Sequence, residues 1–429
     1  MCSNQVLLPP STICTFLYQY QEIQAKPRIS CCVGAGGVRV ATAVARRPSF
    51  RHRHLAMRKR TMKTLSNLKP NIRKPIIIAG LSGMGTYYDD GRFGIYGGKF
   101  VPETLMASLS KLDHEFNQAL RDVHFVKELE TALRDYVGRE TPLYWAQRLT
   151  DHYKSRNNNY KGPDIYLKRE DLNHGGAHKI NNAIAQAILA KRMGLRSVVS
   201  ATGTGHHGVA TAAACAKLDL VCEIFMGDFD MERNPSNVLL MNHLGAKVKM
   251  VVKGTFKDAI SDAIRSWIEN LETSYFLGGV AVGPHPCPTM VREFQSIIGK
   301  ETRKQAIEKW GGEPEVLVAC VGSGSNALGL FHEFIGDPNV RLIGVEAAGV
   351  GLHSGRHSAT LTRGEVGVYH GAMSYVLQDE DGQIMKPYSV GIGMEYPAVS
   401  PELSYLKDIG RLECYTVTDE EAMQGIINT

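Results

Sequence analysis

The chain has 429 residues, 43% of them hydrophobic, with 49 Lys+Arg against 43 Asp+Glu and a formal net charge of +6. No apolar run approaches the ~20 residues that a membrane-spanning helix needs, the segment Pro75-Ile-Ile-Ile-Ala79 being far too short. A soluble protein with no membrane partner is expected, and neither a sequence repeat nor a low-complexity segment is visible.

The charge is unevenly placed. Residues 1–88 carry 14 Lys+Arg and a single acid, Glu22, whereas the remaining 341 residues carry 35 Lys+Arg and 42 Asp+Glu. The positive balance therefore belongs to the leader, which includes the cluster Arg46-Arg-Pro-Ser-Phe-Arg-His-Arg-His54. A basic, acid-poor extension with scattered Ser and Thr reads as an organelle transit peptide. A nucleic-acid-binding arm is the competing reading, but no folded basic stripe follows it, so no nucleic-acid partner is expected. Of nine cysteines, Cys2, Cys14, Cys31 and Cys32 lie in the leader, and Cys215, Cys222, Cys287, Cys320 and Cys414 share no metal-type spacing. They read as small buried residues in a reducing compartment, with no metal site.

Residues 89–429 are more than one hydrophobic core usually holds, so two domains are expected, an N-terminal one over 89–300 and a C-terminal one over 301–429. Strand-like runs at 197–200, 221–226, 247–252, 316–319 and 340–345 alternate with helix-like ones. The pattern predicts an α/β protein of parallel sheets with crossover helices, and places ligands at the carboxyl ends of strands.

Three turns carry candidate chemistry. In the first, the apolar run 164–167 gives way to His174-Gly-Gly-Ala-His178-Lys179 and then to helical spacing from Ala183 to Arg192, so Lys179 stands at the start of a helix. There the positive helix end disfavours a charged amine and draws an anion, which suits a lysine that forms a Schiff base with an aldehyde cofactor. The plain alternative is a surface lysine in a first turn. The second turn, Thr202-Gly203-Thr204-Gly205-His206-His207-Gly208, lies between a strand and an Ala-rich helix and can hold a carboxylate on its backbone N–H groups. In the third, Val321-Gly322-Ser323-Gly324-Ser325-Asn326 joins a strand to a helix, the recipe for a phosphate cradle, although Gly-x-Gly alone is weak evidence. One lysine, one phosphate cradle and one carboxylate cradle are the parts required by a pyridoxal-phosphate enzyme acting on an amino acid.

Together with Gly283-Pro-His-Pro286, these motifs occur in the order and approximate spacing of one family. On them the chain resembles the tryptophan synthase beta chain family, in particular its plant form, nearly unbroken over residues 91–429. The resemblance implies a two-domain pyridoxal-phosphate fold and a chloroplast address for the leader. Lys179 would be the cofactor-bearing lysine and the proton shuttle at the substrate α-carbon, and His178 a phosphate contact. Gly322, Gly324, Ser325 and Asn326 would complete the phosphate cradle. Thr202, Gly203, Gly205 and His207 would hold the carboxylate of L-serine, whose hydroxyl indole replaces to give L-tryptophan and water. The family's alpha chain, which makes indole, would dock near Gly254-Thr-Phe-Lys257-Asp258 and Arg265, about 80° apart on one helical face. A second beta chain would form a homodimer.

The departures fall where the chemistry happens. Where the family has a Glu that assists loss of the hydroxyl and accepts indole's proton, this chain has Ala201, which can do no general acid–base work. A family Gln is His206, a family Gly in the phosphate turn is Ser323, which a left-handed backbone would resist, and the family's closing Asp is Glu395. The family continues for several tens of residues past Thr429, so the C-terminal domain is expected to be incomplete and to lack a partner for the cofactor ring. Three readings follow: a plastid tryptophan synthase beta chain, a pyridoxal-phosphate enzyme that deaminates serine, or a catalytically impaired paralogue that binds an alpha-like partner.

Overall fold

A computed structural model of the protein describes residues 91–155 and 162–427. The leader, and the transit-peptide reading placed on it, lie outside the described residues. Among the described residues no helix is long and apolar enough to cross a membrane, and no group of three metal-type side chains comes together. Their five cysteines are free thiols.

The runs rich in Val and Ile form two parallel sheets, as their period and β-branched content require. The first has the strand order Lys247–Val251, Val221–Gly227, Ser197–Ala201, Ser274–Phe276, with Ser197 opposite both Val221 and Ser274. The second has the order Leu412–Thr418, Arg341–Gly349, Val316–Cys320. Two smaller antiparallel pieces complete the described part. Arg92–Phe93 and Tyr96–Gly97 join Ala372–Val376 and Glu365–Tyr369, so the start of this region is stitched to residues far along the chain. Leu143–Trp145 pairs with Tyr166–Lys168, the strand that leads into the lysine turn.

The helix begins at Lys179, as expected, four residues ahead of the helical spacing from Ala183, and runs to Arg192. Propensity alone leaves out Asn181 and Asn182, whose amides favour caps over helix interiors. Both are buried, and their side chains are satisfied by groups distant in sequence. This helix is enclosed on all sides, from Ile180 to Ala190. Its alanines pack on Ala210, Ala212, Ala213 and Ala214 of the helix His206–Leu218, side chains small enough for two helices to approach closely. One core gathers Ile184, Leu189, Ile224, Met241 and Phe294 around this pair, and another gathers Leu317, Leu328, Phe331, Leu342 and Leu403 at the second sheet. Both glycine turns therefore stand at carboxyl ends of parallel strands, on rigid supports.

Candidate active site

Lys179 is half-buried and lines a cleft together with Thr202, Gly203, His207, Ser323 and Glu395. The lysine and the two glycine turns, separate in sequence, meet there. The turns share one construction. Gly205, at φ 90°, precedes the helix His206–Leu218, and Gly324, at φ 93°, precedes the helix Ser325–Phe331. A Cβ on Gly205 would stand 2.4 Å from Asn237 Cβ, and one on Gly324 would stand 2.3 Å from Leu403 Cδ1. Handedness and space both demand glycine at these two positions. Ser323 is not strained: the described non-glycine residues with left-handed backbone are Asp219, Lys253 and His370. The resistance expected at Ser323 does not arise, because Gly324 takes the left-handed turn.

His178 ties the lysine to the phosphate turn. Its ring is buried, with Nε2 3.2 Å from Ser325 Oγ. Burial, then the charge of Lys179, push its pKa down to about 3, so the imidazole is neutral at ordinary pH. His207 is also buried, with Nε2 3.2 Å from the Leu277 carbonyl. A carbonyl only accepts, which assigns the proton to Nε2 and leaves the Nδ1 lone pair buried without a partner. Burial and Lys179 hold this ring down to about 4. Thr202 shapes the same turn, its hydroxyl accepting from the Gly205 N–H at 3.1 Å. Two further polar side chains tie the turns internally. The Asn326 amide donates to the Cys320 carbonyl at 3.0 Å and braces the turn from its strand, while His206 Nδ1 meets the Thr204 hydroxyl at 3.0 Å.

Around Glu395 the rim of the cleft carries further charges that no sequence motif announced. Arg233 Nη1 lies 3.5 Å from Glu395 Oε2, and the Ser389 N–H donates to Glu395 Oε1 at 3.3 Å. Burial raises the pKa of Glu395 and pushes Asp230 up to about 6. Asp230, Arg233 and Lys386 all face the cleft. Only the order of the parallel strands brings the end of Val221–Gly227, and the short helix Asp228–Arg233 after it, beside Lys179.

Behind the cleft lies an apolar chamber of about 350 Å³, lined by Ala201, Phe256, Trp267, Phe276, Cys287 and His370 among others. It shares Phe256, Gly279 and Val280 with the cleft. Its inner wall is held rigidly. The Gly278 carbonyl accepts from Asn182 Nδ2 and Gln186 Nε2, both at 2.8 Å, and the Leu277 carbonyl accepts from Ser200 Oγ at 2.8 Å. His370 Nδ1, 3.3 Å from the Tyr396 hydroxyl, links the chamber to the segment that bears Glu395. Gly283 and Pro284 of the Gly283-Pro-His-Pro286 motif line it, as do Phe256 and Arg265 of the expected partner-facing segment, but none of these motifs announced a cavity.

The helix Phe256–Ile268 forms another chamber wall and opens with a capping box between Thr255 and Asp258, whose Oδ2 accepts from the Thr255 N–H at 2.8 Å and from its hydroxyl at 2.9 Å. Lys257 and Arg265 of this helix are both exposed.

A family model described as "Pyridoxal-phosphate dependent enzyme" matches residues 135–427. Solved structures of similar fold include a threonine deaminase from T.th., 19% identical, covering 72% of this chain and 82% of that one, with a TM-score of 0.48. The processed form of threonine deaminase isoform 2 from Solanum lycopersicum is 19% identical, covers 77% and 74%, and has a TM-score of 0.49. Maize serine racemase is 14% identical, covers 70% and 79%, and has a TM-score of 0.48.

Proposed function

Since this chain belongs to the pyridoxal-phosphate-dependent enzyme family and uses that cofactor, we propose that it replaces the hydroxyl of L-serine with indole to give L-tryptophan and water. The residues present fit the cofactor. A lysine lines the cleft, the Ser325 hydroxyl and the N–H groups of the glycine turn stand beside it through His178, and the His207 Nδ1 acceptor is left for a ligand. When bound, pyridoxal phosphate supplies an aldehyde that condenses with amines and a ring that takes up electrons from Cα.

The chain's own residues then divide the work. Lys179 holds the cofactor and moves the proton at the substrate Cα. Neutral His178 and Ser325 hold the phosphate without a titrating charge. The Gly203 N–H takes the serine carboxylate, in a turn that Thr202 and Gly205 hold in shape. Glu395, steadied by Arg233, covers the cleft and keeps water from it.

The single observation that carries the indole reading is the apolar chamber that shares Phe256, Gly279 and Val280 with the cleft. Water needs no such room, whereas a flat bicyclic arene does. Ala201 favours a second reading, deamination of serine, because no carboxylate stands in that wall to take the proton indole must lose. An alpha-type chain docking at Lys257 and Arg265, a beta-chain homodimer and a chloroplast location belong to the proposal as well.

The test is to incubate the protein with pyridoxal phosphate, L-serine and indole and to measure tryptophan and pyruvate together. Tryptophan supports the indole reading. Pyruvate alone replaces it with deamination, and neither product with cofactor bound leaves the impaired paralogue.

A further inference from the structure

Gln295 ends the helix Cys287–Gln295 and is 1% exposed. Its Nε2 donates to the backbone carbonyl of His178 at 3.2 Å, and its Oε1 accepts from Asn181 Nδ2 at 3.2 Å. An aliphatic side chain would fill the same volume with no demand for partners, whereas a buried amide destabilises the fold unless its bonds are met. These bonds converge on the peptide that joins His178 to Lys179.

The peptide is planar, so fixing its carbonyl fixes the direction of the Lys179 N–H and of the Cα that follows. The His178 carbonyl takes two donors, the Asn181 backbone N–H at 3.1 Å and Gln295 Nε2. Asn181 is itself pinned. Its Oδ1 accepts from Arg139 Nη1 at 2.9 Å, and its Nδ2 also donates to Glu170 Oε2 at 3.1 Å. Behind it, Arg139 bonds Glu170 at 2.8 Å and Glu301 at 2.6 Å, and Lys168 Nζ bonds Glu301 at 2.6 Å, with all four side chains under 10% exposed. The relay thus ends in a buried ion network and not in solvent.

We infer that Gln295 is a positioning residue, which through Asn181 and the Glu170–Arg139–Glu301 network aims Lys179 into the cleft. The inference rests on Lys179 being the lysine that carries the cofactor. Gln295 touches neither substrate nor cofactor; it sets where the amine stands when a proton must move.

The test uses the full chain loaded with pyridoxal phosphate, in wild type, Gln295→Met and Gln295→Glu. Borohydride reduction followed by mass spectrometry first locates the cofactor-bearing lysine, so a label on any other lysine sinks the premise separately from the relay. In Gln295→Met the midpoint of the absorbance-against-pH titration of the bound cofactor should move away from the wild-type value. Turnover of L-serine should fall about 10- to 100-fold in kcat with KM little changed, the mark of a misplaced reacting group. Gln295→Glu keeps the shape and the bond from Asn181 but donates to His178 only when protonated. Its kcat should therefore recover toward the wild-type value as pH falls. The spectral titration reads the position of Lys179 even in a chain that makes no tryptophan. The inference is overturned if Gln295→Met titrates as wild type, or if both variants merely melt at lower temperature with no recovery of Gln295→Glu at acid pH.

Discussion

The imidazole of His178 and the hydroxyl of Ser325 meet at 3.2 Å although they stand 147 positions apart in the chain. One belongs to the lysine turn, the other to the glycine turn of the second sheet, so this contact joins the two halves of the proposed cofactor cradle. Ser325→Ala should leave the buried ring nitrogen unsatisfied, at a cost of about 1–3 kcal/mol. Pyridoxal phosphate should then be lost roughly 10-fold more readily on dialysis, since each 1.4 kcal/mol is a factor of ten. Retention equal to wild type would remove Ser325 from the cradle.

Lys179 lines the cleft beside residues of both glycine turns, as Lys257 and Lys386 also do. Lys179→Ala should abolish the absorbance of covalently held cofactor and the borohydride-stable adduct, while a chain with intact cores keeps its circular dichroism. An adduct mapped to another lysine would overturn the assignment.

Ala201 ends its strand at 5% exposure and lines the chamber. In Ala201→Glu a carboxylate stands in the wall that indole would face, where a general base contributes about 10²–10⁴-fold. Tryptophan formation should rise at least about tenfold relative to pyruvate formation. Equal increases in both products, or none with cofactor bound, would show that position 201 does not decide between the two reactions.

Glu170 accepts from Arg139, Thr141, Asn173 and Asn181 and is 4% exposed. These partners hold its pKa down to about 2 against the cost of burial. Glu170→Leu strips a buried guanidinium of one carboxylate, a change that typically costs about 3–5 kcal/mol. Urea unfolding should show stability fall by that amount; a loss below about 1 kcal/mol would mean that Glu301 alone suffices for Arg139.

Stability should fall on mild acidification. His178, at about 3, stays neutral in the folded protein, while the same residue in the unfolded chain takes a proton near 6.5. His207 and His370, both at about 4, behave alike. Each depressed histidine therefore contributes fully above 6.5 and loses its contribution as pH drops toward its folded value, with a slope of up to about 1.4 kcal/mol per pH unit. Glu346 has the opposite sign: burial raises it to about 7, so its contribution is complete below 4.5 and fades as pH rises through 7. Melting curves between pH 4 and 7 should show His207→Gln flattening the acid limb. An unchanged slope would place the histidine proton elsewhere.

How much of this was legible in the chain depends on the range of the forces involved. The alternation of Val- and Ile-rich runs with helical spacing determined the parallel α/β architecture, because strand and helix periods are local properties of the backbone. The Gly-rich stretches 202–208 and 321–326 announced turns between strands and helices, and Lys179 begins a helix as its surroundings implied. Those too are decided within a few residues.

Only the tertiary structure decided the rest. Asn326 turns inward to Cys320, Ser323 escapes strain because its neighbour takes the turn, and Arg233 reaches Glu395 across the cleft. The chamber behind Ala201 exists because segments around Phe100, Phe256, Phe276, Cys287 and His370 close on one space, which none of them announces alone. A cavity is the gap left when side chains from distant segments pack. Its place and volume follow from how the sheets and helices stack, which no local period encodes.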